Sequence, residues 1–290
     1  MKVKELFNMV RVKTFLIGIT FLVSLFTFSV VSAQHDNVPL DHDVYIFLKE
    51  MKVKRIIKNI HDDNPLMSRL ELQNQLQSVE SKISELSPTE IKLLKKYQNE
   101  FYDDKADSSN TFQFFGKSSG FSSDYSDLLS DKMKYMYSYR DENASYYLEI
   151  LGKALYGQMF EPDVNNSSLF DIGFRFRGSV FDKIGYSLTV QKGGIGGSQD
   201  IAPSFDPRLN YNFKYYERFE NIGNYDFTEG YLRYCTEPAE NMNLSIQIGR
   251  EKLKLGYGYG SKLVLSGDHP VLDFFKMDFN YGVFSFTSLH

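Results

Sequence analysis

Five histidines, one cysteine and a scatter of carboxylates are the side chains of this 290-residue chain that could hold a metal or move a proton. His35, His42, His61, His269 and His290 show no ligand spacing, and Cys235 stands alone, so neither a zinc site nor any other cofactor is expected. Gly256 to Lys262 (GYGYGSK) looks superficially like a phosphate loop but lacks the glycine-lysine-hydroxyl order, and reads as a flexible glycine-aromatic loop. Gly193 to Gly197 (GGIGG) reads as the start of a long loop, since no helix signal follows it. Asp103-Asp104 and Asp141-Glu142 sit in polar, turn-like surroundings where nothing drives the two pKa values of a pair apart, so acid–base hydrolysis is supported for neither. Sugar binding leaves another trace: flat aromatic faces for the apolar side of a pyranose, with Arg, Asn and Asp for hydroxyls and uronates. The stretch FDPRLNYNFKYYERFENIGNYD has that composition, and Arg208, Tyr211, Tyr215, Tyr216 and Arg218 are its candidates, joined by Tyr257, Tyr259 and Lys262. The same aromatics also suit an interfacial girdle or strand extensions.

The elements that must position these residues change character near residue 130. In SLFDIGFRFRGSVF, Phe170, Ile172, Phe174 and Phe176 share one parity, and Asp171, Gly173, Arg175 and Arg177 share the other. A strand puts successive side chains on opposite faces, so this stretch has a greasy face and a charged one. The same habit recurs in Ile184, Tyr186, Leu188 and Val190, in Leu232 and Tyr234, and in Met242, Leu244, Ile246 and Ile248. Met133, Tyr135, Tyr137 and Tyr139 show it earlier, and Tyr146, Leu148 and Ile150 less cleanly. KMDFNYGVFSF alternates until Val283 and Phe284, where a phase slip predicts a bulge. About seven strands of roughly 9 to 12 residues result, longer than the usual 5 to 6 of soluble sheets and matched to membrane strands. A soluble antiparallel sandwich also alternates. If the strand near 145–157 runs outward, the turns at 181–183 and 238–241 fall on the periplasmic side and the long segments 193–225 and 251–272 fall outside. Arg175 and Arg177 then line a lumen and pair with Glu229 and similar acids.

Before that point the period is helical. Val44, Phe47, Leu48 and Met51 form one stripe. Ser68 with Glu71 is a capping box opening a helix that carries Leu72, Leu76, Val79, Ile83 and Leu86. Ser87, Pro88 and Glu90 open another, with Ile91, Leu94 and Phe101 on one side. Three such helices share a small core and need something further to lean on. Residues 105–130, rich in Ser, Asp and Gly, read as a linker. Residues 1–33 read as a signal peptide: Lys2, Lys4, Arg11 and Lys13, an apolar run from Thr14 to Val30, then Val31-Ser32-Ala33 before Gln34. Its removal takes four basic and one acidic residue from a chain holding 33 and 37, leaving a net charge of about −7. That charge argues against nucleic acid as a partner.

The chain resembles the Wzi-type capsule-assembly family over nearly all of residues 38–290. The matching stretches are VPLDHDVYIFLKEM, NPLMSRLELQNQL, SPTEIKLLKKYQNEF, YSYRDENASYYLEI, FTEGYLRY, IQIGREKLKLGYGYGSKLVLSGDHPVLDFF and FSFTSLH. The resemblance implies an antiparallel transmembrane β-barrel behind a small three-helix N-terminal domain on the periplasmic side. The domain plan expected is signal peptide 1–33, helical domain 34–104, linker 105–130 and barrel strands 131–290. It implies a Gram-negative outer-membrane, cell-surface location after signal removal, and non-enzymatic binding of capsular or other surface polysaccharide in capsule assembly. The family barrel is larger than seven strands, and an open sheet leaves edges that lipid cannot satisfy. A partial, C-terminally truncated barrel is therefore expected, its missing strands supplied by a downstream segment. The alternatives are a porin-like channel with a helical periplasmic plug, and an outer-membrane hydrolase with external carboxylates.

Overall fold

The structure is a computed structural model, which describes residues 34–290 apart from 59, 61–62, 103–134, 141–143, 162–163, 182, 212–217, 220–221, 240–241, 257–262, 268–270 and 283. The expected signal peptide, the expected linker and the Asp103-Asp104 and Asp141-Glu142 pairs lie outside the described residues.

Three helices come first: α1 (Val44–Val53), α2 (Arg69–Glu80) and α3 (Pro88–Phe101). Both expected capping boxes form. The Ser68 hydroxyl accepts the Glu71 N–H while the Glu71 carboxylate accepts the Ser68 N–H, and Ser87 and Glu90 do the same around Pro88 at the first helical position. Val44, Phe47, Leu48, Met51, Leu72, Leu76, Val79, Leu94, Tyr97 and Phe101 close a single apolar core. The chain leaves α2 at Glu80, earlier than the apolar spacing predicts. Ile83 falls in a short 3₁₀ turn and is exposed, whereas Leu86 returns to the core.

The rest is an antiparallel sheet, so the chain is mainly β. Its strands are β1 (Tyr137–Arg140), β2 (Ala144–Met159), β3 (Asn165–Val180), β4 (Ile184–Gly197), β5 (Arg218–Phe219), β6 (Ile222–Ala239), β7 (Met242–Glu251), β8 (Leu272–Tyr281) and β9 (Phe284–Leu289). They pair in the order β1-β2-β3-β4-β6-β7-β8-β9, with the two-residue β5 against the start of β6. Among the described residues β1 and β9 are not paired to each other, and the sheet is open. No described helix is long and apolar enough to cross a membrane.

Three expectations about strands are corrected. KMDFNYGVFSF is a hairpin and not one bulged strand, because Gly282 takes a positive φ of 58° and turns the chain back, pairing Tyr281 with Phe284. This adds a strand to the seven expected. The register does shift elsewhere, between Thr236 and Ala239 of β6. Gly193 to Gly197 end β4 and do not start a loop: a Cβ on Gly193 would lie 2.2 Å from the Tyr225 ring, and one on Gly194 2.6 Å from the Phe170 ring. Aromatic rings lie over these glycines, so the missing side chains permit pairing. Tyr135 leaves the parity of Tyr137 and Tyr139. It precedes the first strand and turns beneath the sheet, its ring 4.8 Å from that of Tyr147.

The chain-sequential pairing puts the short connections (141–143, 181–183, 240–241 and 282–283) at one end, and the longer ones (198–221 and 252–271) at the other. One face of the sheet is apolar and bare: Phe170, Ile172, Phe174 and Phe176 are 39–63% exposed, and Ile150, Leu188, Val190, Leu232, Ile248, Phe275 and Phe286 continue it across the neighbouring strands. The opposite face is polar where the helical unit covers it, and towards the longer connections it carries Leu169, Ile195, Tyr225 and Phe227.

Candidate functional site: the polar inner face

Alternation puts Arg175 and Arg177 on the inner face, and the register sets them opposite Glu149 and Tyr147 of β2. Arg177 is the hub. Its Nε donates to Glu149 at 2.6 Å, one terminal nitrogen to Asp36 at 2.6 Å and the other to the Tyr135 hydroxyl at 2.9 Å. Its guanidinium carbon lies 4.7 Å from the centre of the Tyr147 ring. Arg175 reaches the same Glu149 at 3.4 Å. The expected acid partner, Glu229, is thus replaced by Glu149, the direct cross-strand neighbour; Glu229 lies beyond β4, opposite Thr189. Asp36 also pairs with Arg69 at 3.2 Å and is fully buried.

A second cluster holds the helical unit farther along the sheet. Arg233 donates to Asn37 Oδ1 at 2.8 Å and to Glu71 at 3.3 Å. The Asn37 N–H donates to the Tyr231 hydroxyl at 2.6 Å, and its side-chain amide to Gln247 at 3.3 Å. Lys276 donates to Asn64 Oδ1 at 2.8 Å, and Asn64 in turn to Asp278 at 2.8 Å. Burial pushes the Glu71 carboxyl up, but the Arg233 charge and the Ser68 hydrogen bonds outweigh it and hold it below the ordinary range. Where Asn64, Glu71 and Arg233 face Asn243, Asp278 and Asn280, a polar cleft of about 100 Å³ remains. The helical unit keeps its apolar core to itself and meets the sheet through charges and hydrogen bonds. Such contacts fix one position, because a displaced partner leaves a buried charge uncompensated.

At the long-loop end, a helical turn (Ala202–Phe205) and a 3₁₀ turn (Pro207–Tyr211) fold onto the inner face, closing Ala202, Phe205 and Leu209 over Leu155, Leu169, Ile195, Tyr225 and Phe227. Arg208 sits here, locked. It donates to the two Asp206 oxygens at 2.7 and 2.9 Å, and its guanidinium covers the Phe227 ring at 4.1 Å. Lys153 reaches the same carboxylate at 3.0 Å. Burial raises the Asp206 carboxyl, but Arg208 and Lys153 reverse this and hold it at about 2. Tyr211 closes the 3₁₀ turn, and Arg218 opens β5 opposite Gly223. Tyr215, Tyr216, Tyr257, Tyr259 and Lys262 lie outside the described residues. The segment expected wholly outside at 251–272 begins by turning inward: Glu251 ends β7, Leu253 is buried, and the Gly256 N–H donates to the Asp63 carbonyl of the helical unit at 2.7 Å. β7 and β8 are ten residues long, against 16 in β2 and β3.

Sequence analysis placed Arg175 and Arg177 on the lumen parity and missed Asp36, Asn37, Asn64, Arg69 and Tyr135; Arg208, expected on the outside, instead folds onto the inner face and pairs with Asp206. Asp36, Asn37 and Asn64 lie in polar stretches (QHDN and HDDN) that read as loops, so nothing local marked them out. Among the described residues, no group of three or more His, Cys, Asp and Glu side chains is placed to hold a metal. No family model, no curated protein and no solved structure matches the chain.

Proposed function

We propose that this chain forms part of an outer-membrane β-barrel that binds capsular or other surface polysaccharide in capsule assembly, without turning it over. The observation that carries the membrane reading is the inversion of the sheet: Ile172 is 63% exposed while its neighbour Asp171 is 5% exposed. Bare apolar area on this scale is what water-soluble monomers avoid, and lipid removes the liability. On β3 the apolar outer parity runs from Val180 to Phe170 and gives way to Ser168 and Asn166. Those ten steps are about 33 Å of strand, or about 25 Å of membrane at a tilt near 40°. Lys192, Asp226, Arg250 and Asp273 take over the same face at the long-loop end, and Tyr139, Tyr146 and Tyr186 gather at the short-turn end.

A barrel of eight strands has room inside only for side chains, whereas each helix of the helical unit is about 10–12 Å across. Further strands joined at β1 and β9 are therefore part of the proposal. The polysaccharide reading draws on the family resemblance and on the aromatic composition of the stretch 205–226, which also carries Arg208 and Arg218 and leads into β6 from the longer connections, the end such barrels turn outward. The inner face is covered by the helical unit towards one end and by residues 201–211 towards the other, which favours binding over conduction.

A second reading is a channel with the helical unit as its plug, favoured by the polar seat between unit and wall. Refolded protein with its completing strands, tested on a glycan array and in planar bilayers, separates the two. Saturable glycan binding without conductance is expected. Conductance without any glycan bound would overturn the polysaccharide reading, and full recovery in the detergent-free aqueous fraction would overturn the membrane reading.

A further inference from the structure

Residues 34–38 form a strap that ties the helical unit to the sheet. The Arg69 N–H donates to the Asp36 carbonyl and the Val38 N–H to the Met67 carbonyl, each at 2.9 Å. On the other side the His35 N–H donates to Ser179 Oγ at 2.8 Å and the Asn37 N–H to the Tyr231 hydroxyl at 2.6 Å. Beside the strap, at Met67 and Arg233, the unit and the sheet part and the polar cleft opens between them. It lies at the short-connection end of β7, β8 and β9, away from the stretch 205–226.

The sheet lines this cleft with a row across three strands. Asn243 stands opposite Asn280 and Asn280 opposite Ser285, on the inner parity that Ser245 and Asp278 share. Both asparagines are half-buried, and among the described residues neither side-chain amide has a hydrogen-bond partner. Across from them, Glu71 accepts from Ser68 and Arg233 on Oε2 alone, which leaves Oε1 as an open acceptor on a side chain 33% exposed. Arg233, the cation among the described lining residues, is committed to Asn37 and Glu71. Asp278 is saturated, accepting from Asn64, Ser245 and Thr287 and pairing with Lys276 at 3.1 Å. Leu66 and Met67 supply the apolar part of the lining.

This lining selects its ligand by exclusion. A phosphate or sulfate would meet no uncommitted cation and would face Glu71 Oε1. An apolar molecule would strip two amides of water and return no hydrogen bond. Hydroxyls both donate and accept, so a polyol can donate to Glu71, accept from the asparagine amides and rest an apolar ring face on Leu66 and Met67. A water needs roughly 10–15 Å³ of such space, so a cleft of about 100 Å³ has the scale of one sugar ring. We propose that the cleft is a second saccharide site, which takes one neutral sugar unit through its hydroxyls at the short-connection end; the choice of a sugar among polyols rests on the polysaccharide reading above.

Saturation-transfer difference NMR on the full chain, extracted from membranes into detergent, tests this with glucose, galactose, mannose and N-acetylglucosamine, each with and without inorganic phosphate. Asn243→Leu and Asn280→Leu fill the cleft and break no side-chain hydrogen bond among the described residues. At least one of the sugars is expected to give a saturable signal that phosphate does not displace. Each variant should weaken its binding about tenfold, the loss of one or two ordinary hydrogen bonds. Silence from all the sugars, displacement by phosphate, or a signal unchanged in both variants overturns the inference. Glycan-array binding that survives in the variants then leaves the polysaccharide reading standing, whereas array binding absent from the unaltered chain overturns that reading too.

Discussion

Gly185 shows how much one residue can decide here. It lies on the inner parity of β4 opposite Ser179, and a Cβ built on it would come within 2.2 Å of the His35 carbonyl oxygen and 2.7 Å of the Asp36 nitrogen. Both are backbone atoms that cannot swing away, so the strap must lift to admit a methyl group. Gly185→Ala is expected to cost about 1–3 kcal/mol, the usual range for overpacking a filled site. The loss should appear as a lower thermal midpoint and as faster proteolysis between the helical unit and the sheet. Unchanged proteolysis would mean the strap is not seated as described. Arg177 makes the complementary point. Arg177→Met removes one of two cations from each of Asp36 and Glu149, leaving Asp36 to Arg69 at 3.2 Å and Glu149 to Arg175 at 3.4 Å, so the loss is expected at the lower end of the about 3–5 kcal/mol of a broken buried pair. Arg250→Met, in an exposed pair with Asp273 3.8 Å away, should change stability by less than about 1 kcal/mol.

The helices are the elements whose stability follows acidity. The Lys54 ammonium and the Ser87 N–H and hydroxyl hold the Glu90 carboxyl at about 2, below its ordinary 4.5, and Glu71 is lowered as well. A carboxyl with a depressed folded pKa stabilises the fold above its unfolded value, and that contribution fades as pH falls through the window between the two. Helical circular dichroism is therefore expected to weaken between pH 4.5 and about 2, while the hydrogen-bonded strands persist. Ser87→Ala removes one capping bond of α3 and should cost about 1 kcal/mol at neutral pH, with a smaller acid dependence of what remains. An acid transition of the same size in the variant would show that the cap does not set it.

At the scale of the molecule, the two faces of the sheet have opposite tolerances. Phe174 sits in the middle of the bare apolar band, and Asn166 lies on the same face of β3 beyond its edge. If the band meets hydrocarbon, Phe174→Lys costs about 2–4 kcal/mol in bilayers and Asn166→Lys about 0–1. Equal costs at the two depths, read from folding titrations in lipid vesicles, would remove the membrane reading. In water the order changes sign, because a lysine at position 174 relieves exposed apolar surface.

Local chemistry alone determined the helix starts at Ser68 and Ser87 and the facing of almost every strand, because a capping box needs four adjacent residues and a strand face needs only parity. Parity also separated Phe174 from Arg175 without any knowledge of partners. What it could not decide was which residues end up opposite one another. Glu149 and Glu229 are equivalent acids in the sequence, and only the order of strand pairing makes Glu149 the neighbour of Arg177. Gly193 and Gly282 likewise read alike, yet one lies under an aromatic ring within a strand and the other turns a hairpin. The seat of the helical unit was least legible of all, since Asp36 meets Arg177 across 141 positions of chain, and contacts at that separation are set by the folded backbone and not by neighbouring residues.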